Sequence, residues 1–296
     1  MTANTIGNAA QSDPPLPRKR SGNRRPPSAS LRRMNGARPI RRRFGAWTAV
    51  FAAMAALGID GCSHLPRPAT VPMPAQLDKS ACTVEARTLL IILPGRGMTL
   101  RELEKEGFVS AIRSLDLAVD VLRVDAHLAY YRDRSILERV RADVIAPAQA
   151  QGYRSIWLAG ISMGGLGALR YAEVHPADVQ GIVVLAPYLG EPEASQAILK
   201  AGGLRRWKAP PDPLPDDEVA TQVWRSVQSL LLRNEGPARP PFYLGYGLSD
   251  SLAPTHRVLA QALPPGRVFT APGGHDWNPW RGLWQRMLAA SELPRC

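Results

Sequence analysis

From about residue 88 onward the chain repeats one pattern. A short, continuous apolar run stops at Gly or Pro, and a longer stretch follows whose apolar positions recur at helical spacing. Apolar runs without polar alternation are what strands buried on both faces require, and strands alternating with helices build a mainly parallel sheet covered on both sides. The pattern predicts strands over 88–93, 117–124, 155–159, 181–186, 242–246 and 267–270, and helices over about 99–115, 135–149, 163–175, 253–262 and 278–291. The expected architecture is therefore an open α/β sheet with crossover helices. Residues 190–240 break the rhythm. They are rich in Pro and Arg and hold one amphipathic segment, 219–232, so they read as a short peripheral cap inserted into the same domain. Residues 62–87 are short and Pro-rich and read as a linker, which leaves 88–296 as the body.

Charge changes the picture at the amino-terminal end. The formal net charge of +12 suggests nucleic-acid binding only until it is divided by position. Eleven of the 37 basic residues lie in 1–61 against Asp13 and Asp60, so the body is only slightly basic and no nucleic-acid partner is expected. Residues 1–43 are Pro, Ser, Asn and Arg with almost no apolar run, and the 15-residue apolar stretch 44–58 is too short to span a bilayer. A basic flank followed by a short apolar run reads as an export signal covering 1–61 and removed from the mature protein. Arg41-Arg42-Arg43-Phe44 also resembles the twin-arginine pattern, and Met34, ten residues before the apolar run, is a second candidate start.

Ile59-Asp60-Gly61-Cys62 resembles a bacterial lipoprotein box, in which the cysteine carries the lipid. Asp60 departs from the small or apolar residue usual there, and ordinary cleavage near Ala56 or Gly61 is the alternative. The expectation is an exported protein, periplasmic or anchored to the outer membrane, whose one link to a membrane is a lipid on Cys62. Cys82 and Cys296 are the remaining thiols and lie near the two ends of the body. In an oxidising compartment they are expected to pair.

The chemistry lies in Gly160-Ile161-Ser162-Met163-Gly164-Gly165. A G-x-S-x-G string is weak evidence by itself, but here it joins a buried-type strand directly to a helix, the setting of a nucleophile elbow. Glycines suit a tight turn in which larger side chains would clash, and the serine lands at a helix N-terminus, where N–H groups favour developing negative charge. A serine hydroxyl needs a base. Of His64, His127, His175, His256 and His275, position favours His275, in the Gly-rich loop after the last strand, because catalytic groups in open α/β sheets gather at the carboxyl ends of strands. Asp250, in the loop after strand 242–246, is the carboxylate expected to orient that histidine, and Asp276 is the rival. The order Ser162, Asp250, His275 is that of α/β hydrolases. The amides of Arg96, in Leu93-Pro94-Gly95-Arg96-Gly97, and of Met163 are the candidate oxyanion donors.

Taken together, 93–97, 160–164, 247–250 and Gly273-Gly274-His275-Asp276-Trp277 make the stretch 88–291 resemble the α/β-hydrolase superfamily, the last block resembling esterases of the esterase-D-like type. The resemblance implies an eight-stranded sheet, or one reduced to six strands by the short front, with helices on both faces and a cap that supplies specificity. It implies hydrolysis of a small-molecule carboxylic ester or thioester through an acyl-enzyme on Ser162, without a cofactor. No metal-ligand spacing such as H-x-x-x-H or C-x-x-C occurs. Two other readings stay open: an acyltransferase using the same triad, and a non-catalytic envelope binding protein on a hydrolase scaffold. Acyl and alcohol specificity and oligomeric state are not legible.

Overall fold

The computed structural model describes residues 67–83, 85–211, 218–232 and 240–296. The expected export signal, the lipoprotein-box residue Cys62 and His64 lie outside the described residues. Seven strands form a single sheet in the order β1-β3-β2-β4-β5-β6-β7. They are β1 (Ala75–Asp78), β2 (Thr88–Leu93), β3 (Val119–Val124), β4 (Ser155–Ile161), β5 (Gly181–Leu185), β6 (Phe242–Gly247) and β7 (Val268–Ala271). All pair in parallel except β1, which runs antiparallel to β3 at the edge.

Each central strand is buried on both faces, and its residues divide between two cores. Leu89, Ile91 and Leu93 of β2 enter one core while Leu90 and Ile92 enter the other; Ile156 and Leu158 of β4 separate in the same way from Trp157, Ala159 and Ile161. One core is closed by α1 (Leu100–Lys105), α2 (Phe108–Ser114) and α10 (Trp277–Ala290), which contribute Leu103, Phe108, Ile112, Leu283, Trp284 and Met287. The other is closed by α3 (Leu128–Arg132), by α4 (Ile136–Arg139) and α5 (Ala146–Ala150) with a π-helical turn at Val140–Ile145 between them, and by α6 (Met163–Val174), α7 (Pro192–Lys200), α8 (Val219–Leu232) and α9 (Ala253–Ala260).

The seven strands lie within the six to eight expected. Two readings need correction, the first because the supposed linker contributes β1. That strand has no apolar signature and is largely exposed; long-range polar contacts hold it instead. Asp78 pairs with the buried Arg123 of β3 at 2.8 Å, and Lys79 reaches the buried Asp120 at 2.9 Å. The helix expected over 99–115 is two helices, broken where Gly107 takes a left-handed φ of 80°. Within 190–240, Val223, Trp224 and Val227 of α8 belong to the core and the helix packs on α6. Its amphipathic pattern marks the face that packs on α6 and α7.

Cys82, just after β1, is bonded to Cys296, with Cα atoms 5.4 Å apart. The chain end is held further by the Cys296 N–H donating to the Asp116 carbonyl at 2.8 Å. Among the described residues no helix is long and apolar enough to cross a membrane.

Candidate active site

The site begins with a turn that only its own sequence permits. Between β4 and α6, Ser162 sits at φ 51°, ψ −113°, a left-handed conformation that costs an L residue of order 1–3 kcal/mol and persists only where the surroundings enforce it. Here they do. The Ser162 N–H donates to the Leu185 carbonyl at 2.9 Å, and the Ser162 carbonyl accepts the Tyr188 N–H at 2.8 Å, so the end of β5 and the loop after it grip the serine backbone from both sides. The flanking glycines are required by space. A Cβ on Gly160 would lie 2.4 Å from the Gly164 carbonyl oxygen, one on Gly164 would lie 2.0 Å from that of Leu93, and one on Gly165 would meet Pro187 at 2.6 Å.

The histidine and the carboxylate meet by the same device. A Cβ on Gly247 would lie 2.4 Å from the Gly273 carbonyl oxygen, so this glycine lets the loops after β6 and β7 touch. The Ser249 N–H donates to that carbonyl at 2.9 Å, and Gly273 itself takes φ 124°. The contact brings Asp250 Oδ2 to 2.8 Å from His275 Nδ1, while His275 Nε2 lies 2.9 Å from Ser162 Oγ. The consistent tautomer has Nδ1–H donating to the carboxylate and Nε2 accepting the serine hydroxyl. Asp250 is buried, with its second oxygen accepting the Leu252 N–H at 2.8 Å. Burial alone would raise the Asp250 carboxyl, but the bonds from His275 and Leu252 outweigh it and hold it below the ordinary carboxylate range. The His275 ring is backed edge-on by buried Trp280, centroids 4.9 Å apart.

Asp276, the rival carboxylate, is exposed and caps α10 by accepting the Asn278 N–H at 2.9 Å. His127 caps α3 with its ring tilted against Tyr130, and His175 ends α6 against Tyr171; neither lies in the triad. Met163 is the first residue of α6, so its N–H has no acceptor within the helix. Arg96 is exposed on a turn closed by the Met98 N–H and the Gly95 carbonyl at 3.1 Å. Gly164 packs on the backbone of Leu93 and Pro94, and a Cβ on Gly95 would lie 3.4 Å from the Ile161 carbonyl oxygen, which sets this turn beside the elbow.

Sequence reasoning passed over His256. On α9 it is fully buried, its Nε2–H donating to the Pro187 carbonyl at 2.9 Å and its Nδ1 without a partner. Burial pushes this imidazole down to about 4 and keeps it neutral. It therefore ties α9 to the loop that grips Ser162. No signal in the sequence announces that bond, since donor and acceptor are 69 residues apart. A cleft of about 800 Å³ bordered by Leu204, Leu230, Phe242 and Val258 sits at the amino end of β6, opposite the triad's edge of the sheet.

Residues 135–227, which include the elbow, match the family model described as serine aminopeptidase, S33. Among solved structures the chain is similar to Est1E from Butyrivibrio proteoclasticus, at 19% identity over 73% of this chain and 91% of that one, with a TM-score of 0.52. It is also similar to Est1E with ferulic acid bound, at 19% identity over 73% and 92% of the two chains and a TM-score of 0.51. No curated protein matches the sequence. The fold is the α/β-hydrolase fold. The serine, histidine and aspartate carried on its strand ends are arranged as in a serine hydrolase.

Proposed function

We propose that the protein is a serine hydrolase that cleaves carboxylic esters or thioesters of small molecules through an acyl-enzyme on Ser162. The observation that carries the reading is the continuous relay from Ser162 Oγ through His275 to buried Asp250, at 2.9 and 2.8 Å. As the hydroxyl attacks the acyl carbon, its proton passes to His275 Nε2, and the new imidazolium is stabilised by the Asp250 carboxylate. The carbonyl oxygen gains charge at the start of α6, where the Met163 N–H and the Arg96 N–H are the donors assigned to it. His275 then returns the proton to the leaving alkoxide or thiolate, and an activated water releases the acyl group by the same steps. The residues themselves supply the nucleophile, the base and the donors that these steps require.

The match to the S33 model favours one second reading, hydrolysis of an amide at a peptide amino terminus. A panel of 4-nitrophenyl esters and aminoacyl 4-nitroanilides separates the two, and turnover confined to the anilides would displace the ester reading. Acyl transfer uses the same triad and is distinguished by product analysis with added alcohols. Export through the basic and apolar leader, with a lipid on Cys62, is part of the same proposal. It is supported by the Cys82–Cys296 bond, which suits an oxidising compartment.

A further inference from the structure

Ser162 is not the only strained residue at the elbow. Ala186, directly after β5 and fully buried, takes φ 43°, so left-handed L residues stand on either side of the bond between the Ser162 N–H and the Leu185 carbonyl. Conformations of this kind persist only where neighbouring groups over-determine them. The Ala186 N–H donates to the Gly245 carbonyl at 2.7 Å, and Pro187 packs so closely that a Cβ on Gly165 would lie 2.6 Å from it. The Tyr188 N–H holds the Ser162 carbonyl at 2.8 Å, and the Pro187 carbonyl accepts His256 Nε2–H at 2.9 Å. The first three contacts come from backbone or packing. The last is made by a side chain brought from α9.

The same helix is anchored at its start to Asp250. The Asp250 Oδ1 accepts the Leu252 N–H at 2.8 Å, the Asp250 carbonyl accepts the Ala253 N–H at 2.9 Å, and the Leu252 carbonyl accepts the His256 N–H at 3.0 Å. One helical turn therefore separates the point fixed to the acid from the point fixed to the serine loop. The contacts close a ring, which runs from Ser162 to Asp250 through His275 in one direction and through Tyr188 and α9 in the other. The His256 ring is fully buried and packed against Tyr246 at 5.2 Å between centroids, and its Nδ1 has no partner. An unsatisfied buried nitrogen is a cost to folding. A leucine would fill the space without that cost, so what the imidazole contributes is the Nε2–H bond.

We infer that His256 is a positioning residue for the nucleophile: by holding the Pro187 carbonyl it keeps Tyr188 on the Ser162 backbone, and through α9 it sets that backbone at a fixed distance from Asp250. The inference rests on the serine-hydrolase reading and adds to it a residue that acts through the Ser162 backbone. Rates depend steeply on such placement, a displacement of about 1 Å costing up to about a hundredfold. Because the bond acts on the serine and not on the substrate, its loss falls on the acylation step and not on ester binding.

The test is release of 4-nitrophenolate from a 4-nitrophenyl ester in single turnovers with enzyme in excess, which gives the acylation rate constant and the Kd of the ester separately. His256→Leu is expected to acylate about 10–100 times more slowly than the wild type, with Kd within about twofold. His256→Gln carries an amide N–H the same number of bonds from the backbone as Nε2, and is expected to stay within about threefold of the wild type. His256→Asn, one bond shorter, is expected to be as slow as His256→Leu. Val258→Ala truncates another buried residue of α9, one that borders the cleft at the opposite edge of the sheet. It is expected to lower Tm and leave the acylation constant unchanged, which separates placement of the serine from loss of stability. Parental acylation in a folded His256→Leu, equal rates in the glutamine and asparagine variants, or an equal loss in Val258→Ala would each overturn the positioning role and leave the hydrolase reading standing. A folded wild type that is not acylated would remove the hydrolase reading and the positioning role with it.

Discussion

Two glycine substitutions separate a position that has no room for a side chain from one that has. At Gly164 a Cβ would stand 2.0 Å from the Leu93 carbonyl oxygen and 2.7 Å from that of Pro94. Relief needs a backbone shift of roughly an ångström in a close-packed region, and overpacking of that kind costs about 1–3 kcal/mol. Either the start of α6 or the end of β2 with the turn that follows it must move, and α6 and that turn carry the two amides assigned to the oxyanion. Losing one such donor lowers kcat by about 10²–10³. Gly282, on the exposed face of α10, meets nothing within 4 Å, so an alanine there adds only helix preference, about 0.5–1 kcal/mol of stabilisation. In a domain of this size 1 kcal/mol moves Tm by about 2–4 °C. Gly282→Ala is therefore expected to raise Tm by about 1–4 °C with unchanged kcat, and Gly164→Ala to lower Tm by at least about 2 °C and kcat by at least about a hundredfold. Thermal unfolding and ester kinetics on the three proteins decide it. A Gly164→Ala protein with parental kcat and Tm would refute the steric account of the elbow.

Burial holds His256 neutral down to about 4, whereas the unfolded chain protonates near 6.5, so between these values the unfolded state binds the extra proton. Stability is expected to fall as pH drops from about 6.5 to 4, by up to about 3 kcal/mol, and His256→Gln should flatten that slope in urea unfolding; equal slopes would count against the assignment. Breaking the Cys82–Cys296 bond, which closes a loop of 214 residues, should cost about 5 kcal/mol in the chain-entropy model, measured as a lower urea midpoint after reduction; an unchanged midpoint would show that the bond adds nothing. Intact mass of the exported protein should show a chain beginning at Cys62 with a diacylglyceryl and acyl increment, and a chain still carrying Met1 or Met34 would contradict export processing.

How much of this was legible beforehand follows from where each signal resides. The elbow was readable because its requirements are local: a buried strand, glycines on both sides of the serine, and a helix that starts at once. Asp250 and His275 were readable because each follows an apolar strand in a Gly-containing loop, and strand ends share one edge of the sheet. β1 was not. Its four residues are largely exposed, and what holds them, Asp78 on Arg123 and Lys79 on Asp120, is more than 40 residues distant in the chain. The bond from His256 to Pro187 was hidden for the same reason. For α8 the amphipathic pattern was visible, but which surface its apolar face would meet was not, because that depends on the exposed side of α6.

The most direct test of the central claim is covalent labelling of the purified body by a fluorophosphonate, which reacts with an activated serine and not with an ordinary one. The account predicts one phosphonylated residue per chain, located by peptide mass at Ser162. Labelling should be lost in Ser162→Ala and strongly slowed in His275→Ala, and kcat for an activated ester should fall by about 10⁴–10⁶ in each single variant and scarcely further in the double. A folded Ser162→Ala protein that still takes the label, or still hydrolyses the ester at the parental rate, would contradict it.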